Sequence, residues 1–130
     1  MSFVVAIVDD DHRLLESMES LLESAGYAVR LFSSAEAFLE DCGVAEIDCL
    51  ISDISMSSMS GVELRRVAHE TRPDLPVIFV TGCDLTEQAI AELRSDHGVF
   101  RKPFGGPELL AAVENALLAR AQGDESTGRS

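Results

Sequence analysis

The chain has 130 residues, with 10 Lys and Arg against 23 Asp and Glu, a formal charge of −13. So acidic a surface repels a phosphate backbone, which excludes nucleic-acid binding by this chain alone. The length suits one domain that buries roughly two-thirds of its unfolded surface, and 46% hydrophobic with 25% charged residues excludes an acidic disordered tail.

The apolar runs at residues 3–8, 49–51 and 77–80 fall well short of the ~20 residues that span a bilayer. No basic segment precedes the first run, and Asp9, Asp10 and Asp11 follow it directly, so it does not read as a secretory signal. A cytoplasmic address is expected. Cys42, Cys49 and Cys83 are odd in number and lack metal-ligand spacing, which fits reduced thiols used as small apolar groups. His12, His69 and His97 share no helical spacing and read as plain surface residues.

Residues 3–8 form a continuous β-branched run, and Leu14, Leu15, Met18, Leu21, Leu22 and Ala25 then recur with helical period. Gly26 ends that helix at a position that wants a left-handed residue, and residues 27–32 read as a second strand. Ser33 or Ser34 caps the next helix, whose inner stripe is Ala35, Phe38, Leu39 and Cys42. Residues 48–52 give a third strand terminating at Asp53, and a Ser/Met/Gly loop leads to a helix over 62–71. Strand four spans 77–80, a helix spans 85–94, strand five spans 99–101, and a last helix runs over 107–120 with proline in its first turn. Phe3, Phe32, Phe38 and Phe79 are assigned to the core. Five βα units of this kind predict an α/β fold with a doubly wound, five-stranded parallel sheet covered by helices on both faces. Residues 1–121 form the predicted domain, and the polar, glycine-containing segment 122–130 reads as a flexible tail or the start of a linker.

In a doubly wound sheet, ligands bind beyond the carboxyl ends of the strands. Here those ends carry Asp9-Asp10-Asp11, Asp53, Thr81-Gly82 and Arg101-Lys102-Pro103. Taken alone, the three consecutive acids make an N-cap cluster, and Asp11 keeps that role in either reading. Carboxylates converging from two strand ends repel unless a proton or a cation is shared, and all-oxygen ligation suits Mg²⁺. Beside Mg²⁺, Asp53 becomes a candidate nucleophile toward phosphorus, with Lys102 and Thr81 as the fixed cation and the hydrogen-bond donor around the phosphoryl oxygens.

At these residues the chain resembles the response-regulator receiver domain of two-component signalling, the CheY-like superfamily. Ile7-Val8-Asp9-Asp10 is similar to the family's acidic pair, and Asp53-Ile54-Ser55-Met56 with Met59 and Gly61 to its phosphoacceptor loop. Val80-Thr81-Gly82 and Lys102-Pro103-Phe104 are similar to its switch and lysine motifs. Ser-Ala-Glu-Ala-Phe-Leu over 34–39 and the run over 75–82 resemble FixJ-like receivers in particular. The resemblance implies a flavodoxin-like (βα)5 fold with strand order 2-1-3-4-5. It also implies Asp53 as phosphoacceptor, Asp10, Asp53 and the carbonyl of Ser55 as Mg²⁺ ligands, and Asp9 acting through water. Two positions depart from the pattern: Ser57 stands where the family usually has proline, and Val99 stands three before the lysine, where an aromatic is usual, with Phe100 next to it.

The expected function is therefore a receiver that takes a phosphoryl group on Asp53 from a sensor histidine kinase and switches its contacts with an effector protein, an attached output domain or a second copy. It is not an enzyme beyond its own phosphotransfer and slow dephosphorylation, and it uses neither a membrane nor direct DNA contact. The alternative is an interaction module of the same fold that signals by binding alone. A phosphohydrolase is a third reading, but Asp53-Ile54-Ser55 is not the Asp-x-Asp of haloacid-dehalogenase-like enzymes and the sequence shows no cap insertion. The resemblance also implies that the surface near Glu87, Arg101, Ala111 and Leu118 is the partner face.

Overall fold

A computed structural model describes residues 3–41, 46–54, 59–81, 99–101 and 105–129. Five strands, β1 (Val4–Val8), β2 (Ala28–Phe32), β3 (Cys49–Asp53), β4 (Val77–Thr81) and β5 (Val99–Arg101), form one sheet in the order β2-β1-β3-β4-β5. Every neighbouring pair is parallel. The order reverses at β1, so β1 and β3 lie side by side at the centre, and Val5 aligns with Cys49 and Val8 with Ser52.

The helices begin and end where local chemistry dictates. In α1 (His12–Ser24) the Asp11 carboxylate accepts from the backbone N–H groups of Arg13 and Leu14 at 3.0 and 3.4 Å. Its end carries a pair of closing hydrogen bonds, Tyr27 N–H to Leu22 O at 3.1 Å and Gly26 N–H to Glu23 O at 3.0 Å. That geometry needs the positive φ of 95° that Gly26 adopts. Of the two candidate serines, Ser34 caps α2 (Ala35–Glu40), accepting from Ala37 N–H at 3.0 Å. Ser60 caps α3 (Gly61–Thr71) in the same way, accepting from Glu63 N–H at 3.2 Å. The last helix, α4 (Gly106–Arg129), continues past the predicted end at residue 120 and runs through the segment read as a tail. The predicted helix over 85–94 lies outside the described residues, as do Cys42, Cys83 and His97.

Alternation along the strands divides the core in two. Val5, Ile7, Cys49, Ile51, Ile78 and Val80 pack against Leu15, Met18 and Leu22 of α1 and Leu109, Val113 and Ala116 of α4. Ala6, Val8, Leu50, Val77 and Phe79 face the other way, onto Ala35 and Phe38 of α2 and Leu64 and Ala68 of α3. Each fully buried Val, Leu, Ile, Met or Phe side chain among them contributes about 1.5–3 kcal/mol relative to exposure. Phe32 meets Phe38 edge to face with centroids 5.3 Å apart, joining β2 to α2. Two expectations are corrected. Phe3 sits one residue ahead of β1 and is 49% exposed, although its carbonyl still accepts from Ala28 N–H. His69 is half-buried, with Nε2 2.9 Å from the Leu75 carbonyl, so it ties the last turn of α3 to the loop before β4. Among the described residues no helix is long and apolar enough to cross a membrane.

Candidate functional site

The site is built from consecutive residues that leave β1 in different directions. Asp9 is fully buried, Asp10 is exposed, and Asp11 turns outward to cap α1. Asp9 is held from both sides: its N–H donates to Phe32 O at 3.1 Å, and its Oδ1 accepts from Asp11 N–H at 2.9 Å. Asp53 ends β3, the central strand, and is 5% exposed. Beyond it Ile54 N–H donates to Val80 O at 3.0 Å, which keeps β3 beside β4 for one more residue.

These placements bring one oxygen each from Asp9, Asp10 and Asp53 within 4.8 Å of one another. Two of the three carboxylates are buried, where like charges repel more strongly than in water. Three oxygens so grouped, with Asp10 open to solvent, fit a hard divalent cation that keeps several waters, which is the chemistry of Mg²⁺ rather than of zinc or a soft metal.

Thr81 is fully buried at the end of β4, the strand next to Asp53, in a register that sets Asp53 beside Val80. Arg101 aligns with Thr81 on β5. Lys102 and Ser55 themselves lie outside the described residues. Thus Asp9, Asp10 and Asp53 come together, and Thr81 occupies the neighbouring strand end.

The register also separates Val99 from Phe100 on β5. Phe79 aligns with Val99, and Val99 packs in the cluster that contains Phe79, the face shared by alternation with Thr81. Phe100 packs in the opposite cluster with α1 and α4. Valine therefore holds the position where an aromatic is usual.

Two contacts beside Asp53 were not anticipated: that of Ser52, which the motifs leave out, and that of Gly61, which the resemblance places in the loop without a role. Ser52 is fully buried, and its hydroxyl donates to Asp53 O at 2.9 Å. A serine inside the apolar run of β3 was the available signal. Gly61 donates its N–H to Ile54 O at 2.9 Å and approaches the Asp53 peptide closely, a contact that composition and period do not encode.

A family model described as the response regulator receiver domain matches residues 5–114. The response regulator protein TmoT of Ectopseudomonas mendocina is 39% identical over 124 residues, which cover 95% of this chain and 56% of that protein. The transcriptional regulatory protein FixJ of Bradyrhizobium diazoefficiens is 31% identical over 114 residues, covering 87% of this chain and 56% of FixJ. A CheY-like response regulator receiver domain protein from Methanospirillum hungatei superposes with a TM-score of 0.84 at 28% identity, over 95% of this chain and 99% of that one. The chain spans about half the length of the curated relatives it matches. With the five-stranded parallel order and the acidic cluster already in place, these matches show that the chain belongs to the response-regulator receiver family, on its FixJ-like side.

Proposed function

We propose that this receiver is a phosphorylation-controlled switch in which Asp53 accepts a phosphoryl group from a phosphohistidine of a sensor kinase. The observation that carries the reading is the meeting of Asp9, Asp10 and Asp53 oxygens within 4.8 Å at the ends of two central strands. An Asp53 Oδ attacks phosphorus as the bond from phosphorus to the donor nitrogen breaks, and that electron pair leaves with the imidazole. Asp10 and Asp53 would hold Mg²⁺ directly, with the Ser55 carbonyl that the family resemblance supplies as a third ligand and Asp9 acting through water. When bound, Mg²⁺ offsets the carboxylate repulsion and draws the phosphoryl oxygens toward the acceptor. The Thr81 hydroxyl donates to one phosphoryl oxygen and the Lys102 ammonium pairs with another. The acyl phosphate hydrolyses slowly, and substrate turnover is not part of the function.

The partners proposed for this receiver, itself placed in the cytoplasm, are a sensor histidine kinase and an output domain or effector, with a phosphorylation-dependent homodimer as one output. The relatives' greater length supports an attached output domain, and residues 122–130, helical through Arg129, are proposed as the start of the connection to it. A binding-only module is the second reading, favoured by Val99 in place of an aromatic on the face of Thr81. Both are tested by incubating wild type and Asp53→Asn with acetyl phosphate, with and without Mg²⁺, and reading intact mass. Wild type is expected to gain one phosphoryl group only with Mg²⁺, and Asp53→Asn none. Uptake by Asp53→Asn would refute the acceptor assignment, and absence of uptake by wild type would leave the binding-only reading.

A further inference from the structure

The first residue of α3 lies against the peptide that carries Asp53. A Cβ built on Gly61 would stand 2.2 Å from the Asp53 carbonyl oxygen, and 3.0 Å from both its carbonyl carbon and the Ile54 Cα. All three are backbone atoms in a buried stretch, so none can swing aside as the tip of a flexible side chain would. Only Gly26 among the described glycines has a positive φ, so a substitution at 61 acts through space and not through a forbidden backbone conformation.

The contact grips the chain just where the sheet stops doing so. The Asp53 carbonyl accepts from the Ser52 hydroxyl at 2.9 Å, and the next carbonyl, of Ile54, accepts from Gly61 N–H at 2.9 Å. Ile54 N–H is bonded to Val80 O on the other side. Helix α3, itself started by the Ser60 cap, thereby buttresses the peptide that follows the acceptor carboxylate.

We propose that Gly61 is a positioning residue for phosphoryl acceptance: its missing side chain lets α3 begin in contact with the Asp53–Ile54 peptide and so sets the aim of the Asp53 carboxylate. The proposal rests on the reading of Asp53 as acceptor. Any larger residue must open the contact from 2.2 Å to at least 3.0 Å, a shift of about 0.8 Å at the backbone of the nucleophile. Alanine is the better helix former, so a glycine with no such duty would gain stability from the change.

The test compares wild type, Gly61→Ala and Ser60→Ala, the last of which weakens the start of the same helix without intruding on Asp53. Each is assayed for Mg²⁺ affinity by calorimetry, for the rate of phosphoryl uptake from acetyl phosphate, and for its urea midpoint. Gly61→Ala is expected to take up phosphoryl at least about tenfold more slowly and to bind Mg²⁺ more weakly, while Ser60→Ala loses midpoint and keeps both site properties. Wild-type values in Gly61→Ala, or an equal loss in Ser60→Ala, would overturn the proposal. A wild type that neither binds Mg²⁺ nor accepts phosphoryl would instead overturn the acceptor reading itself. Should Gly61→Ala not fold, amide exchange in wild type decides: saturating Mg²⁺ slows exchange of the Gly61 N–H if the buttress is coupled to the site, and an unchanged rate overturns the coupling.

Discussion

Strands β2 and β3 each have five residues and each runs parallel to β1, yet they do different work. Every residue of β3 is buried, and the strand ends in a carboxylate flanked by β1 and β4. No residue of β2 is fully buried; it lies at the sheet edge and ends in Phe32, which serves α2 through Phe38. The edge is guarded by Arg30, which pairs with Asp41 and Glu46 and lies over the Phe32 ring at 5.7 Å. Such surface ion pairs contribute little to stability, about 0–1 kcal/mol, but a charge on an edge strand discourages pairing with another chain. The contrast places reactive groups at the end of the strand whose backbone is held on both sides and whose flanks exclude water.

The sharpest way to break this comparison is to delete volume from each strand. Ile51→Ala in β3 is expected to cost about 2–5 kcal/mol, and Leu31→Ala in the partly exposed β2 about 1–2 kcal/mol, both read from urea midpoints. Equal losses would mean that edge and centre are packed alike. Next in size is Asp11→Ala, which removes the α1 cap at a cost of about 1 kcal/mol and leaves phosphoryl uptake intact, in contrast to the loss expected for Asp53→Asn. A matching loss of uptake would make Asp11 part of the site.

The smallest effect concerns Tyr27, just ahead of β2, whose phenol is pushed above its ordinary 10.0 by burial and then by the charges of Glu114 and Cys49. The folded chain holds this proton more tightly than the unfolded one, so the stability it contributes is full below pH 10.0 and is lost as pH rises through the folded value. Urea midpoints taken from about pH 9 upward should fall less steeply for Tyr27→Phe than for wild type, and identical slopes would remove Tyr27 from the alkaline transition.

Much of the fold was legible because its signals are local. Gly26 sits where the closing hydrogen bonds of α1 need a left-handed residue, and Ser34 and Asp11 lie one residue ahead of their helices. Strand bounds differed by a residue: β3 includes Asp53 and β4 includes Thr81, because pairing with neighbours carries the ladder past the last apolar residue. The end of α4 was misread at residue 120, since the polar segment beyond it lacks proline and so contains no firm helix breaker. The exposed ring of Phe3 and the engaged imidazole of His69 were also illegible, as each depends on what the folded chain sets beside it.

From the sequence alone came the alternation of strands and helices, and the chemical type of the residue closing each strand, since both are written in short-range period and punctuation. Tertiary structure alone decided that Asp9 is sealed while Asp10 is open, that their oxygens meet that of Asp53, and that Gly61 meets the Asp53 carbonyl. It likewise assigned Val99 and Phe100 to opposite faces. The physical reason is that strand order and register are agreements between segments far apart along the chain, and a one-residue slip in any of them would turn every side chain of a strand to the other side.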